Sequence, residues 1–261
     1  MPPKRTAKGT GRLWEKMFGL RGEKIGTLSL LLLAAASARG VTVATVGDSL
    51  ADAVYLGMKL QPDLLKKNEI HLTRWSRAKI GLTRTDYFDY TSWLRDNDDL
   101  GSADVCVVQL GANDLQSIAI GKNKWVFVGT ETWQRMYQER VKTLVETLRV
   151  RRCKSVIWLL QPAYEKNKFL SHYHGMINAV QFAGSNAGVA GAFELATTEN
   201  DYSADGVHFN KPFCFALSRG VIELIAAGKT FAANGCATCH SSASFSFKGA
   251  ASSAPLTLKS E

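Results

Sequence analysis

Four short polar segments of the chain hold the residue types that acyl transfer requires. They are Gly47-Asp48-Ser49-Leu50, the loop around Gly81, Gly111-Ala112-Asn113-Asp114 and Asp205-Gly206-Val207-His208. A serine hydroxyl becomes an effective nucleophile when an adjacent histidine accepts its proton, and a carboxylate fixes the tautomer of that histidine. Ser49, His208 and Asp205 are therefore the candidate nucleophile, base and orienting carboxylate.

The same chemistry needs hydrogen-bond donors for the negative oxygen of the tetrahedral intermediate. Ser49 stands where a helix should begin, Asn113 offers a side-chain amide, and Gly81 lets a bare backbone N–H approach a substrate. We predict that these three residues form the oxyanion hole. Asp48 and Asp114 are interpreted instead as helix-start or hydrogen-bonding carboxylates. No metal or organic cofactor is required by this chemistry.

Apolar runs alternate with amphipathic segments through the centre of the chain. Strands are predicted at 41–46, 70–75, 105–110, 155–160 and 189–195, and helices at 50–66, 131–152, 169–186 and 213–227. This alternation predicts an α/β fold with three layers, α/β/α, flavodoxin-like, around a five-stranded parallel sheet. Sites in such sheets form beyond the carboxyl ends of the strands, and all four polar segments fall in loops of that kind.

In order and spacing, the four segments resemble the motif blocks of the SGNH (GDSL-type) hydrolases, a family of serine esterases. The resemblance covers about residues 41–227 and implies the same roles for Ser49, Asp205 and His208, with Gly81 and Asn113 as oxyanion donors. The run from 81 to 89, followed by Trp93-Leu94, is similar to a bacterial, exported branch of the family without a settled function.

Residues 1–40 are predicted to be a signal peptide or an N-terminal basic and apolar segment. Seven Lys or Arg residues precede an apolar run from Ile25 to about Ala36, and Ala36-Ser37-Ala38 is a small-x-small cleavage site. The alternatives are an uncleaved anchor and an amphipathic basic helix. The run is short for a bilayer, so no stable membrane span is expected. The protein is expected to be exported, to the periplasm or the medium.

The formal net charge of +9 could indicate a nucleic-acid partner, but its distribution indicates none. Residues 1–40 hold eight basic and two acidic residues, whereas 41–227 hold 21 basic and 20 acidic ones. A phosphate-binding surface should concentrate positive charge on the folded domain. The expected partner is a small-molecule or glycan ester substrate, and the sequence does not indicate an oligomeric state.

The five cysteines fall into two groups. Cys106 and Cys153 lie in or beside apolar runs and are predicted to be small buried residues without a disulfide. Residues 228–261 are predicted to be a C-terminal tail, flexible over 241–261. Within it, Cys236-Ala237-Thr238-Cys239-His240 matches the pattern for covalent haem c attachment. No Met or His follows that could serve as the distal haem ligand. Three interpretations stay open: covalent haem, a metal site, and a pair of thiols that are either redox-active or incidental.

The predicted function is hydrolysis of carboxylic esters through an acyl-enzyme on Ser49. The expected substrates carry short acyl groups, such as O-acetyl groups on carbohydrate. Fold alone does not fix the substrate. The alternatives are a lipid esterase or lysophospholipase, a non-catalytic envelope binding protein of SGNH fold, and an electron-transfer protein built around Cys236–His240. The tryptophans are expected in the core or the pocket wall, with a sugar-binding platform as the alternative.

Overall fold

The computed structural model describes residues 40–185, 189–233, 245–248 and 255–258. In chain order the elements are β1 (Val41–Gly47), α1 (Ser49–Lys59), α2 (Pro62–Lys67), β2 (Ile70–Arg74), α3 (Tyr90–Asp96), β3 (Ala103–Gln109), β4 (Ile118–Gly121), β5 (Lys124–Val126), α4 (Glu131–Arg151), β6 (Cys153–Leu159), α5 (Lys168–Ser185), β7 (Gly191–Phe193), α6 (Lys211–Ala233), β8 (Phe245–Lys248) and β9 (Pro255–Leu258). The predicted signal segment and the Cys236–His240 motif lie outside the described residues.

Five parallel strands form the central sheet, in the order β2–β1–β3–β6–β7. This is the flavodoxin-like order, in which the direction of the connections along the sheet reverses between β1 and β3. Right-handed crossovers put α1 on one face of the sheet and α4 and α5 on the other, because the connections run in opposite directions along it. α1 packs against α6, and α4 packs against α3 and α5. The predicted three-layer fold with five parallel strands is confirmed.

The core lies on both faces of the three central strands. Most of their apolar residues are almost fully buried, as expected for parallel strands covered on both sides. Trp75, Trp133 and Trp158 are buried in this core, whereas Trp93 is half-buried and Trp125 is exposed. Among the described residues, no helix is long and apolar enough to cross a bilayer.

Two helix boundaries differ from the prediction. The helix expected over 50–66 is two helices, because Pro62 lacks a backbone N–H and disfavours a helical conformation in Gln61 before it. The helix expected to end before Gly228 instead continues to Ala233. A glycine weakens a helix without ending it, and the chain after it keeps helical geometry here.

Several elements were not predicted. α3 and the β4–β5 hairpin are too short to show a clear hydrophobic period. β8 and β9 pair as antiparallel strands, with Phe245 opposite Leu258. This differs from the flexible tail expected over 241–261. The signal was the period-two alternation around these two stretches, which a Ser-, Ala- and Gly-rich composition conceals.

Cys106 and Cys153 are buried as predicted, but the expectation that they form no disulfide was wrong, because the two residues are bonded to each other. β3 and β6 are hydrogen-bonded neighbours in the sheet, with Ala103 opposite Cys153. The two Cα atoms are 5.8 Å apart, within the range that a disulfide can bridge. Their separation of 47 residues along the chain gives no sign of this pairing, which depends on the strand order.

Candidate active site

Ser49, His208 and Asp205 form one hydrogen-bonded chain at the carboxyl edge of the sheet. The Ser49 Oγ lies 2.9 Å from the Nε2 of His208, although the two residues are 159 positions apart. The Nδ1 of the same ring lies 2.6 Å from the Oδ2 of Asp205. The imidazole is about half exposed, so a substrate can reach it. This arrangement can draw a proton from the serine hydroxyl while the carboxylate holds the ring.

A sharp turn between β1 and α1 presents Ser49. Gly47 has a φ of +133°, and a Cβ atom at this position would overlap the carbonyl oxygen of Gln109. Only glycine fits such a backbone, so the chain can leave the strand abruptly. Asp48 then caps the helix, since its Oδ1 accepts the backbone N–H of Leu50 at 2.9 Å. Ser49 is the first residue of α1, where a backbone N–H has no partner within the helix.

Asp205 organises the loop that carries His208. Its Oδ1 accepts hydrogen bonds from the backbone N–H groups of Val207 and His208, both at 2.9 Å, and from the hydroxyl of Ser203 at 2.8 Å. Partial burial raises the pKa of Asp205, but the hydrogen bonds from His208, Val207 and Ser203 outweigh it and hold the pKa well below its usual value. The carboxylate is therefore ionised at neutral pH and able to accept the Nδ1–H of His208.

Asp48 joins the nucleophile segment to the segment of Asn113. It is fully buried, and its Oδ2 accepts the backbone N–H of Gly111 at 3.2 Å. The same oxygen lies 3.4 Å from the amide Nδ2 of Asn113. One N–H of this amide therefore faces Asp48, and the second remains to donate elsewhere. The carboxylate orients the side chain that was predicted as an oxyanion donor.

Asp114 joins the Gly81 loop to the same segment. Its Oδ1 accepts the backbone N–H groups of Leu82 and Thr83, the latter at 3.1 Å, and its Oδ2 accepts the hydroxyl of Tyr137 at 2.8 Å. A Cβ atom on Gly81 would overlap this carboxylate, so the close approach requires glycine. The Gly81 loop is thus fixed against the loop that carries Asn113.

The interpretation of Asp48 and Asp114 as helix-start and hydrogen-bonding carboxylates agrees with these contacts. Two features were not predicted. The two carboxylates join three segments, and a buried glutamine supports the end of β3, which leads to Asn113. There, Gln181 donates to the carbonyl of Leu110 at 2.8 Å and to the hydroxyl of Tyr137 at 2.9 Å. A glutamine within a helix carries no sequence signal for such a role, because only the packing of α5 brings it there.

Asp48 gives the stability of the fold a specific pH dependence. Burial raises its pKa to about 7, although the hydrogen bond from Leu50 opposes the shift. The native state then holds a proton more tightly than the unfolded chain, so this stabilisation is present below about pH 4 and is lost as the pH rises to about 7. Relative to Asp48→Asn, we expect the wild-type free energy of unfolding to fall by roughly 2 kcal/mol between about pH 5 and pH 7. Urea unfolding at both pH values measures it.

The control for this measurement is Asp86→Asn. Asp86 is exposed, and its hydrogen bond with Arg84 lowers its pKa, so this variant should keep the wild-type decline. Parallel pH profiles for wild type and Asp48→Asn would contradict the assignment.

The sequence matches the model of the family described as "Protein of unknown function (DUF459)" over residues 42–211. A search of the curated proteins gives no significant match.

Solved structures with a similar fold include three esterase or lipase structures. An acetyl xylan esterase from Geobacillus stearothermophilus has a TM-score of 0.52 and 12% identity, covering 72% of this chain and 95% of that one. A carbohydrate acetylesterase from Sinorhizobium meliloti has a TM-score of 0.51 and 13% identity, covering 72% and 99%. A protein assigned as a GDSL-like lipase from Parabacteroides merdae has a TM-score of 0.50 and 11% identity, covering 73% and 96%.

At these identities the structures share a fold with this chain, and the family match covers more than half of its length. The predicted relationship to the SGNH hydrolases is confirmed at this level. The chain belongs to DUF459, a GDSL/SGNH-like family of proteins of unknown function.

Proposed function

We propose that this protein hydrolyses carboxylic esters through an acyl-enzyme on Ser49. The observation that carries the proposal is the chain of two short contacts, 2.9 Å from Ser49 Oγ to His208 Nε2 and 2.6 Å from His208 Nδ1 to Asp205 Oδ2. A binding protein has no need of a serine, an imidazole and an ionised carboxylate in this order. The described residues contain no cluster of three or more His, Cys, Asp or Glu side chains able to hold a metal ion.

Acylation begins when the Ser49 hydroxyl donates its proton to the Nε2 of His208 and its oxygen attacks the ester carbonyl. Asp205 accepts the Nδ1–H throughout and stabilises the imidazolium. The negative oxygen of the tetrahedral intermediate accepts hydrogen bonds from the backbone N–H groups of Ser49 and Gly81 and from the amide of Asn113. His208 then gives the proton to the leaving alkoxide, which departs as an alcohol and leaves the acyl group on Ser49.

Deacylation repeats these steps with water. His208 takes a proton from a water molecule, whose oxygen attacks the acyl carbonyl, and the same donors hold the second oxyanion. Collapse of this intermediate breaks the bond to the Ser49 Oγ, and His208 returns the proton to it. The products are a carboxylic acid and the free enzyme.

For the substrate, we favour short acyl esters on carbohydrate, such as O-acetyl groups. Two of the proteins that share the fold are an acetyl xylan esterase and a carbohydrate acetylesterase. The half-exposed ring of His208 and the half-buried Ser49 suit an ester on a large, soluble chain better than one held in a deep acyl tunnel.

The protein is further proposed to be exported, with residues 1–40 as the targeting segment and 41–227 as the hydrolase domain. The buried Cys106–Cys153 disulfide supports export, because disulfides persist in oxidising compartments and are rare in a reducing cytosol.

Labelling with a serine-directed phosphonate tests the proposed nucleophile. We expect a single adduct on the peptide that contains Ser49, and none on Ser49→Ala. His208→Ala should label at least about 100-fold more slowly, because the hydroxyl loses its base. Intact mass and peptide mapping measure both results. A label on another residue, formed equally in wild type and Ser49→Ala, would falsify the proposal.

A further inference from the structure

Three aromatic side chains are exposed beside the segments that carry the proposed oxyanion donors. Tyr87 is 75% exposed, Trp125 44% and Phe127 68%. Tyr87 follows the Gly81 loop, and the other two lie on β5 and just after it, in the hairpin that follows Asn113. Exposed aromatic rings on neighbouring segments beside a candidate site suit a surface where a ligand or partner binds.

The same two segments carry exposed cations. Arg77 and Lys79 lie in the loop after β2, and Lys122 and Lys124 lie in the β4–β5 hairpin. None of the four has an acidic partner in the described part of the chain. The guanidinium of Arg77 lies 4.4 Å from the ring centre of Phe88, and no carboxylate there balances the charge of any of the four.

The two segments form one surface next to the proposed nucleophile. The guanidinium of Arg84 lies 5.6 Å from the ring centre of Trp125, so the loop and the hairpin are in contact. The backbone N–H of Arg77 donates to the carbonyl of Gly47 at 2.8 Å, two residues before Ser49. We call the surface formed by residues 77–87 and 118–127 the cationic rim.

The cationic rim holds five basic residues and one acidic residue, Asp86, so it carries a net positive charge. The folded region 41–227 holds nearly equal numbers of basic and acidic residues, and the hairpin contains no acidic residue. The loop on the histidine side, 194–205, has the opposite character, with four acidic residues and no Lys or Arg. An anionic ligand would therefore be attracted to the rim more strongly than to the 194–205 loop.

We propose that the cationic rim binds an acidic polysaccharide, a chain with uronic acid carboxylates, and presents its acyl groups to Ser49. The sugar C–H faces stack on the rings of Tyr87, Trp125 and Phe127, because the negative face of an aromatic ring attracts positively polarised hydrogens. The carboxylates pair with the exposed cations. The cations extend over both the loop and the hairpin, which suits a ligand running along the rim more than a membrane entered by the hairpin alone.

Binding can be tested separately from catalysis. The delivery of acyl groups rests on the proposed function, whereas the binding does not, so the binding assay uses Ser49→Ala protein with unacetylated polygalacturonate. We expect binding to polygalacturonate and none to neutral dextran by isothermal titration calorimetry. Raising NaCl from ~0.01 M to ~1 M shortens the Debye length from about 30 Å to about 3 Å and should weaken binding about tenfold or more. Lys122→Ala/Lys124→Ala and Trp125→Ala should each weaken it about five- to tenfold.

The matched control is Lys66→Ala/Lys67→Ala, which removes the same charge from α2. That helix leads into the amino end of β2, whereas the rim follows the carboxyl ends of β2 and β3, so the affinity should stay within about twofold. Equal losses in rim and control variants, equal binding of dextran, or binding to anionic phosphatidylglycerol vesicles without binding to polygalacturonate would each overturn the proposal.

A second readout concerns delivery to the site in enzyme with Ser49 intact. The ratio of the acetate release rate from acetylated polygalacturonate to that from acetylated xylan should fall about fivefold in the rim variants. Intact binding with no acetate release from any ester would instead count against the proposed function and leave the rim proposal standing.

Discussion

Replacing Ser49 with alanine is expected to lower kcat for p-nitrophenyl acetate by at least about 10⁴-fold. Without the hydroxyl no acyl-enzyme forms, and only the oxyanion donors and substrate binding remain. His208→Ala should lose about as much, and the double variant little more, because the serine and the histidine act as one unit across their 2.9 Å contact. Steady-state kinetics on acetate, butyrate and octanoate esters measure this, with activity expected to decline along that series.

Ser171→Ala is the matched control. Ser171 is exposed on α5, and its substitution should leave kcat within about twofold, as for most surface changes. Equal rates for wild type and Ser49→Ala on every ester would remove the enzyme hypothesis. Additive losses in the Ser49→Ala/His208→Ala variant would show that the two residues do not act together.

Breaking the Cys106–Cys153 disulfide is expected to cost about 4 kcal/mol of unfolding free energy. The bridge closes a loop of 47 residues between adjacent strands, and its loss restores that freedom to the unfolded chain. Cys106→Ala, Cys153→Ala and the double variant should each lose about the same amount, because either substitution breaks the one bond. Urea unfolding under non-reducing conditions measures it.

Cys214→Ala is the control, because it measures the cost of removing a partly buried sulfur that takes no part in the disulfide. Burial raises the pKa of the Cys214 thiol to about 11, so this cysteine is a protonated, partly buried side chain outside the bridge. Its substitution should cost less than about 2 kcal/mol. Recovery of Cys106 and Cys153 as two separately alkylated thiols from unreduced protein would contradict the pairing.

The sequence by itself determined the class of fold and the residues of the candidate site. Strand and helix periods depend on neighbouring residues only, so the alternation of strands and helices between residues 41 and 227 can be recognised without a structure. The rule that sites form at the carboxyl ends of parallel strands then indicates which loops hold the candidate residues. Ser49, Asn113 and His208 each stand in a short segment of recognisable chemistry. The break at Pro62 was also available in the sequence, but the strong apolar spacing on both sides of it concealed it.

Only the tertiary structure decided which distant residues meet. The pairing of Cys106 with Cys153 follows from β3 and β6 being neighbours. The joining of three loops by Asp48 and Asp114 follows from β1 lying between β2 and β3. It also decided that Trp125 is exposed, whereas Trp75 lies in the core. Periodicity in the sequence indicates which face of its own helix or strand a residue occupies. Contacts between elements depend on strand order and helix packing, which cannot be inferred from any single segment of the chain.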